Sequence, residues 1–190
     1  MTRSRLTPER ESELYGAVLD LLREVGYDSL TMDAVAARTR SSKATLYRQW
    51  HSKPELVARS LQQVKPSVTG EIDTGSLRGD FHEMMSRADD EEMERDSALM
   101  RGLLQAVHNN PDLYDALRKL LIEPEMQALR TLVERAVERG EISADNPAVD
   151  FIPHMLFGSF FARQMIEDKV PDRCFLTRYM DSVVLRALGV

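Results

Sequence analysis

Apolar residues in this chain recur at three- and four-residue spacing, and most such runs are opened by a capping residue, a combination that admits helices and little else. Thr7-Pro8-Glu9 supplies an N-cap, a proline suited to the first helical position and an acid in the first turn, ahead of Leu14, Val18, Leu21, Leu22 and Val25. Gly26 predicts the stop. Thr31 opens a short helix to about Arg38 with Val35 and Ala36 inward, and Ser42 caps a third with Leu46 and Trp50 inward. Ser52 and Glu55 predict a capping box for a fourth helix carrying Leu56, Val57 and Leu61. Pro, Ser, Thr and Gly then accumulate from Pro66 to Gly75, the expected domain junction. Beyond it helices are expected over about 76–88, 91–109, 111–138, 147–168 and 172–188, with Pro124 predicting a kink near Glu123. Nothing alternates with period two, so the expected fold class is all-α, with about nine helices.

Composition narrows the setting. One cysteine, Cys174, cannot close an intramolecular disulfide, and no run of eighteen or so apolar residues occurs, so neither a disulfide framework nor a membrane span is expected. The basic start, Met-Thr-Arg-Ser-Arg-Leu, leads into polar and acidic residues rather than a signal sequence, and a cytoplasmic protein follows. The net charge of -6 argues against a nucleic-acid partner only as an average. Residues 1–65 carry eleven basic and eight acidic side chains, a local +3, which leaves 14 basic and 23 acidic residues, or -9, for the remainder. From Arg38 to Lys65 seven basic residues face Glu55 alone, a basic patch suited to DNA.

Spacing gives that patch a form. Thr31 to Trp50, TMDAVAARTRSSKATLYRQW, reads as two short helices joined by a tight turn, with Ala36 and Ala37 small where the helices cross: a helix-turn-helix. Its second helix offers Lys43, Ala44, Thr45 and Arg48 to a major groove while Leu46 and Trp50 hold its back to the core. The stretch SSKATLYRQWHSKPELV resembles the recognition helix and following helix of the tetracycline-repressor (TetR) family of bacterial transcriptional regulators, and the match in motif detail covers residues 10–62. That resemblance implies that Lys43, Ala44, Thr45 and Arg48 read base edges, and that Tyr47, Gln49 and Lys53, with Thr31 at the start of the second helix, meet phosphates; Ser42 is a further DNA-binding candidate. It also implies a division into residues 1–52, a three-helix DNA-binding domain, 53–65, a connecting helix, and 66–190, a helical-bundle ligand-sensing and dimerisation domain. The chain departs from the family in the turn: Arg40-Ser41 stands where the family commonly has Gly then Val, so a left-handed residue there carries a steric penalty.

The larger part shows no chemical motif. Eight of the ten methionines lie beyond the junction, and methionine-rich helical bundles suit apolar ligands, although apolar residues at helical spacing are ordinarily core. Phe81, Met85, Met100, Leu104, His108, Met126 and Met155 are the candidate lining of a pocket for a small apolar or amphipathic effector. In the last two helices Phe157, Phe160 and Phe161 alternate with small residues, and Phe175, Tyr179 and Val183 repeat every four, a candidate homodimer interface. His51, His82, His108 and His154 fall at no metal-ligand spacing, so neither metal, cofactor nor catalysis is expected. The expected function is a DNA-binding transcriptional regulator, most simply a repressor on a palindromic double-stranded operator released by a small molecule. A helical adaptor with a degenerate helix-turn-helix, an enzyme on a helical bundle and a DNA-binding activator stay open.

Overall fold

The computed structural model describes residues 7–64 and 69–190, all of them helical or connecting, with no strand among the described residues. Arg3, Arg5, Lys65 and the start of the expected junction, Pro66 to Val68, lie outside them. The helices are α1 (Pro8–Ser29), α2 (Met32–Thr39), α3 (Lys43–Trp50), α4 (Lys53–Val64), α5 (Leu77–Ser86), α6 (Asp90–Asn109), α7 (Pro111–Leu117), α8 (Glu123–Glu138), α9 (Ile152–Glu167), α10 (Arg173–Tyr179) and α11 (Leu185–Leu188). Wider π-type turns join α7 to α8 over Arg118–Ile122 and α10 to α11 over Met180–Val184, so those pairs correspond to the single helices expected over 111–138 and 172–188. The helix expected from Pro147 begins instead with a 3₁₀ turn, Pro147–Phe151. No helix among the described residues is long and apolar enough to cross a membrane.

The described residues form two compact units, one from 7–64 with 98–124 and one from 69–97 with 125–190. In the first, Leu14, Val18, Leu22, Val35, Leu46, Trp50, Leu56 and Val57 share one core with Leu99, Leu103, Ala106 and Leu113, so α4 lies between α1 and α7. Pro124 explains the π-type turn before it. Lacking an N–H, it leaves the Leu120 carbonyl without its helical donor, and the Gln62 side-chain amide of α4 donates to that oxygen at 2.9 Å. In the second unit Leu77, Phe81, Leu132, Ala136, Ile152, Leu176, Met180 and Val184 are buried together. There the Asp80 carboxylate, fully buried, accepts from the Thr74 amide at 2.6 Å and hydroxyl at 2.8 Å, tying the loop before α5.

Candidate nucleic-acid interface

Capping places both helices of the expected motif. The Thr31 hydroxyl accepts from the Ala34 amide at 3.1 Å, and the Ser42 hydroxyl from the Thr45 amide at 3.1 Å, which it shares with the Ser42 carbonyl at 3.0 Å, so each hydroxyl caps a first-turn amide. Between them Arg40 takes the left-handed conformation, φ 50° and ψ 39°, and the Ser41 amide donates to the Ala36 carbonyl at 3.0 Å, closing the end of α2.

The back of α3 is held from α1. Leu46 and Trp50 are buried, and the Trp50 indole Nε1 donates to the Tyr15 hydroxyl at 3.0 Å, which in turn donates to Glu11 at 2.9 Å. The two rings meet edge to face with centroids 5.7 Å apart. Burial pushes the Tyr15 phenol up to about 12, against the opposing hydrogen bond from Trp50. With that face fixed, Lys43, Ala44, Tyr47 and Arg48 are exposed on the opposite side of α3, at the spacing that puts them on one helical face. The Lys43 ammonium pairs with Asp33 of α2 at 2.5 Å. Thr45 and Gln49 are half-buried, and the Thr45 hydroxyl shares a 2.9 Å hydrogen bond with that of Ser42.

Lys53 is placed differently from the expectation of a free phosphate ligand. Its ammonium donates to the carbonyls of Tyr27 at 2.9 Å and Leu30 at 3.0 Å and sits 4.1 Å from the centre of the Tyr27 ring, where burial lowers its pKa. Gly26, with φ 73°, interrupts the helical backbone of α1 just before these carbonyls. The capping box also forms only by half: the Ser52 hydroxyl accepts from the Glu55 amide at 3.3 Å, but the Ser52 amide donates to the Trp50 carbonyl across a tight turn at His51, φ 53°. The Glu55 carboxylate pairs with Arg59 at 2.9 Å instead.

The residues of the expected effector lining are divided between the two units. Phe81 and Met85 are core residues of the second unit; Met100, Leu104 and His108 are exposed and belong to the first. Met126 and Met155 line two separate clefts, of about 520 Å³ between α8 and residues 149–154 and about 500 Å³ between α9 and α10. Helical spacing states that a face is apolar and leaves open what covers it. In the expected dimer set Phe157, Phe160, Phe161 and Val183 are exposed, while Phe175 and Tyr179 are half-buried and stack on each other 6.0 Å apart. Met165 and Ile166, beside them, are 86% and 81% exposed.

Two family models match the chain: "Bacterial regulatory proteins, tetR family" over residues 15–59 and "Tetracyclin repressor-like, C-terminal domain" over residues 71–183. The chain belongs to the tetracycline-repressor family. As a member of the TetR family it is a DNA-binding transcriptional regulator. An uncharacterized HTH-type transcriptional regulator of Mycobacterium tuberculosis is 36% identical over 94% of this chain and 88% of its own length. A DNA-binding transcriptional repressor, TetR, of Mycobacteroides abscessus is 32% identical, covering 93% of this chain and 92% of that one. The crystal structure of a TetR family transcription regulator superposes with a TM-score of 0.71 at 28% identity, covering 93% of this chain and 97% of that one. The TetR-family model over residues 15–59 spans the capped pair α2 and α3 and the α1 face that supports them.

Proposed function

We propose that this TetR-family regulator is a cytoplasmic repressor that binds a palindromic operator as a homodimer and is released by a small apolar or amphipathic molecule. The observation that carries the reading is the exposed face of α3, with two cations and a tyrosine opposite a back fixed by Trp50 and Leu46. Arg48 and Lys43 donate to guanine O6 and N7, and Ala44 lets the helix approach the bases closely. Thr45, its hydroxyl engaged by Ser42, offers a methyl to thymine. Tyr47, Gln49, Thr31 and Ser42 position the helix on phosphates, to which Lys53 brings at most the one N–H its two carbonyl bonds leave free. The repressor of Mycobacteroides abscessus supports the sign of regulation.

The division at residues 52 and 65 is part of the same proposal: α4 connects the DNA-reading helices to a sensing and dimerising part. Its packing against α7 and the Gln62 bond to Leu120 tie α4 to the π-type turn, so a shift there reaches α3 through α4. Exposed apolar residues on α9 and the C-terminal helices suit a second copy, which sets two recognition helices about 34–36 Å apart. The test is Lys43→Ala with Arg48→Ala on an operator selected from random duplexes. Two bidentate contacts at about 1–3 kcal/mol each predict at least a tenfold loss of specific affinity in a mobility-shift assay. Unchanged operator affinity sinks the base-reading roles, and a monomer in sedimentation of the wild type on its operator sinks the dimer.

A further inference from the structure

The turn between α2 and α3 carries an arginine where the backbone favours glycine. At φ 50° and ψ 39° Arg40 lies in the left-handed region, in which a Cβ crowds the neighbouring carbonyl. The conformation is imposed from both sides. Besides the Ser41 amide on Ala36, the Arg40 amide donates to the Ala37 carbonyl at 3.3 Å, and the Thr39 carbonyl accepts from the Arg10 guanidinium and from the Ser41 hydroxyl at 3.4 Å. Nothing in that closure uses the Arg40 side chain. Its guanidinium is exposed and makes no hydrogen bond or ion pair among the described residues.

Its neighbours behave otherwise. Arg38 forms two hydrogen bonds with Glu24, at 3.1 and 2.7 Å, Lys43 pairs with Asp33, and Arg10 pairs with Glu13 at 2.8 Å. On α2, α3 and their turn, only Arg40 and Arg48 present a cation without a protein partner. Arg48 belongs to the face already assigned to bases. Arg40 precedes the N-cap of α3 by two residues, and a recognition helix enters the major groove by its N-terminal end, which brings the preceding turn to the lip of the groove where phosphates lie.

We infer that Arg40 is a phosphate contact that anchors the turn to the duplex backbone, independent of base sequence. The inference rests on α3 being the helix that faces DNA. Backbone strain held in place by surrounding bonds, with a free cation at its tip, is the arrangement expected of a binding group rather than of a structural one. The competing role is structural: a cation at the end of α2 also favours the helix dipole. The two roles separate on stability. A dipole partner stabilises the free protein, whereas a phosphate ligand acts only when DNA is present.

The probe is a random-sequence duplex of roughly 30 bp, since a phosphate contact acts on any sequence, with affinity read by fluorescence anisotropy across a sodium chloride series. Arg40→Gly and Arg40→Asn, both at ease in the left-handed region, are expected to lose roughly 3–10-fold in affinity and to reduce the log–log salt slope by about 0.9 per protomer. Arg40→Lys keeps the wild-type slope, and the melting temperature of Arg40→Gly does not fall below that of the wild type. Wild-type affinity and slope in Arg40→Gly and Arg40→Asn overturn the inference. So does a joint fall of melting temperature and affinity in Arg40→Gly, or a loss in Arg40→Lys equal to that in Arg40→Asn. A wild type that binds no duplex at any salt concentration overturns the DNA-facing reading of α3 itself, a result distinct from these three.

Discussion

Tyr15→Phe removes one oxygen from the support of α3 and keeps the ring that packs against it. The Trp50 indole, 2% exposed, then has a buried N–H whose acceptor at 3.0 Å is gone. Leaving such a donor unpaired costs about 1–3 kcal/mol, whereas Glu11, half-buried, regains water for its lost 2.9 Å bond. A central loss of about 2 kcal/mol lowers the melting temperature by roughly 4–8 °C at the 2–4 °C per kcal/mol typical of a chain of this length. The only tryptophan in the chain is itself the reporter, so urea unfolding of Tyr15→Phe is followed by its fluorescence and cross-checked by circular dichroism. Trp50→Phe and the double variant complete a cycle by circular dichroism alone. Once the indole is absent the acceptor is no longer needed, so the double variant is expected to be more stable than the sum of the single losses predicts, by about 1–2 kcal/mol. A Tyr15→Phe loss below about 0.5 kcal/mol, or additivity within about 0.5 kcal/mol, refutes the reasoning that this bond fixes α3.

Tyr15 and Tyr27 are both pushed up to about 12, chiefly by burial. Unfolded tyrosines ionise near 10, so above that pH the unfolded chain releases protons the native one retains; stability is intact below about pH 10 and falls as pH rises toward 12. Tyrosinate absorbance from two of the chain's five tyrosines rising together with loss of near-ultraviolet dichroism over that interval checks it, and ionisation of all five near 10 with the fold intact would refute it. Lys53→Met keeps the stem near the Tyr27 ring but removes two charged hydrogen bonds, an expected cost of about 1–3 kcal/mol in urea unfolding with little change in the salt dependence of DNA binding. A drop in salt slope of about 0.9 per protomer, the loss expected for one phosphate contact, would instead make Lys53 a phosphate ligand.

What was legible in the sequence is what one helical turn decides. Thr7, Thr31 and Ser42 cap amides three residues ahead, and the inward positions of Leu46 and Trp50 follow from four-residue spacing. The left-handed residue in the turn was readable only through the family resemblance, in which glycine commonly stands where this chain has Arg40. Pro124 disclosed a break, although its form, a π-type turn relieved by Gln62, depends on a side chain 58 residues away. The similar turn at Met180–Val184 has no proline, and nothing in the structure explains it.

Charge shows the limit most clearly. Seven basic residues from Arg38 to Lys65 identified a DNA-facing segment, yet a count of charges is not a count of phosphate contacts. Arg38 is engaged by Glu24, Arg59 by Glu55, Lys43 by Asp33 and Lys53 by two carbonyls. Only Glu55, four residues before Arg59 on one helix, was announced by a local pattern; the partners of Arg38, Lys43 and Lys53 lie ten or more residues away, and only Arg40 and Arg48 among the described members of the seven remain unengaged. The pairing has a use. Under the proposed base-reading role Lys43 leaves Asp33 to reach a base, and an ion pair broken on binding is repaid only by a site that offers the right acceptors, so on that proposal Asp33 sharpens the discrimination of the helix that carries the lysine.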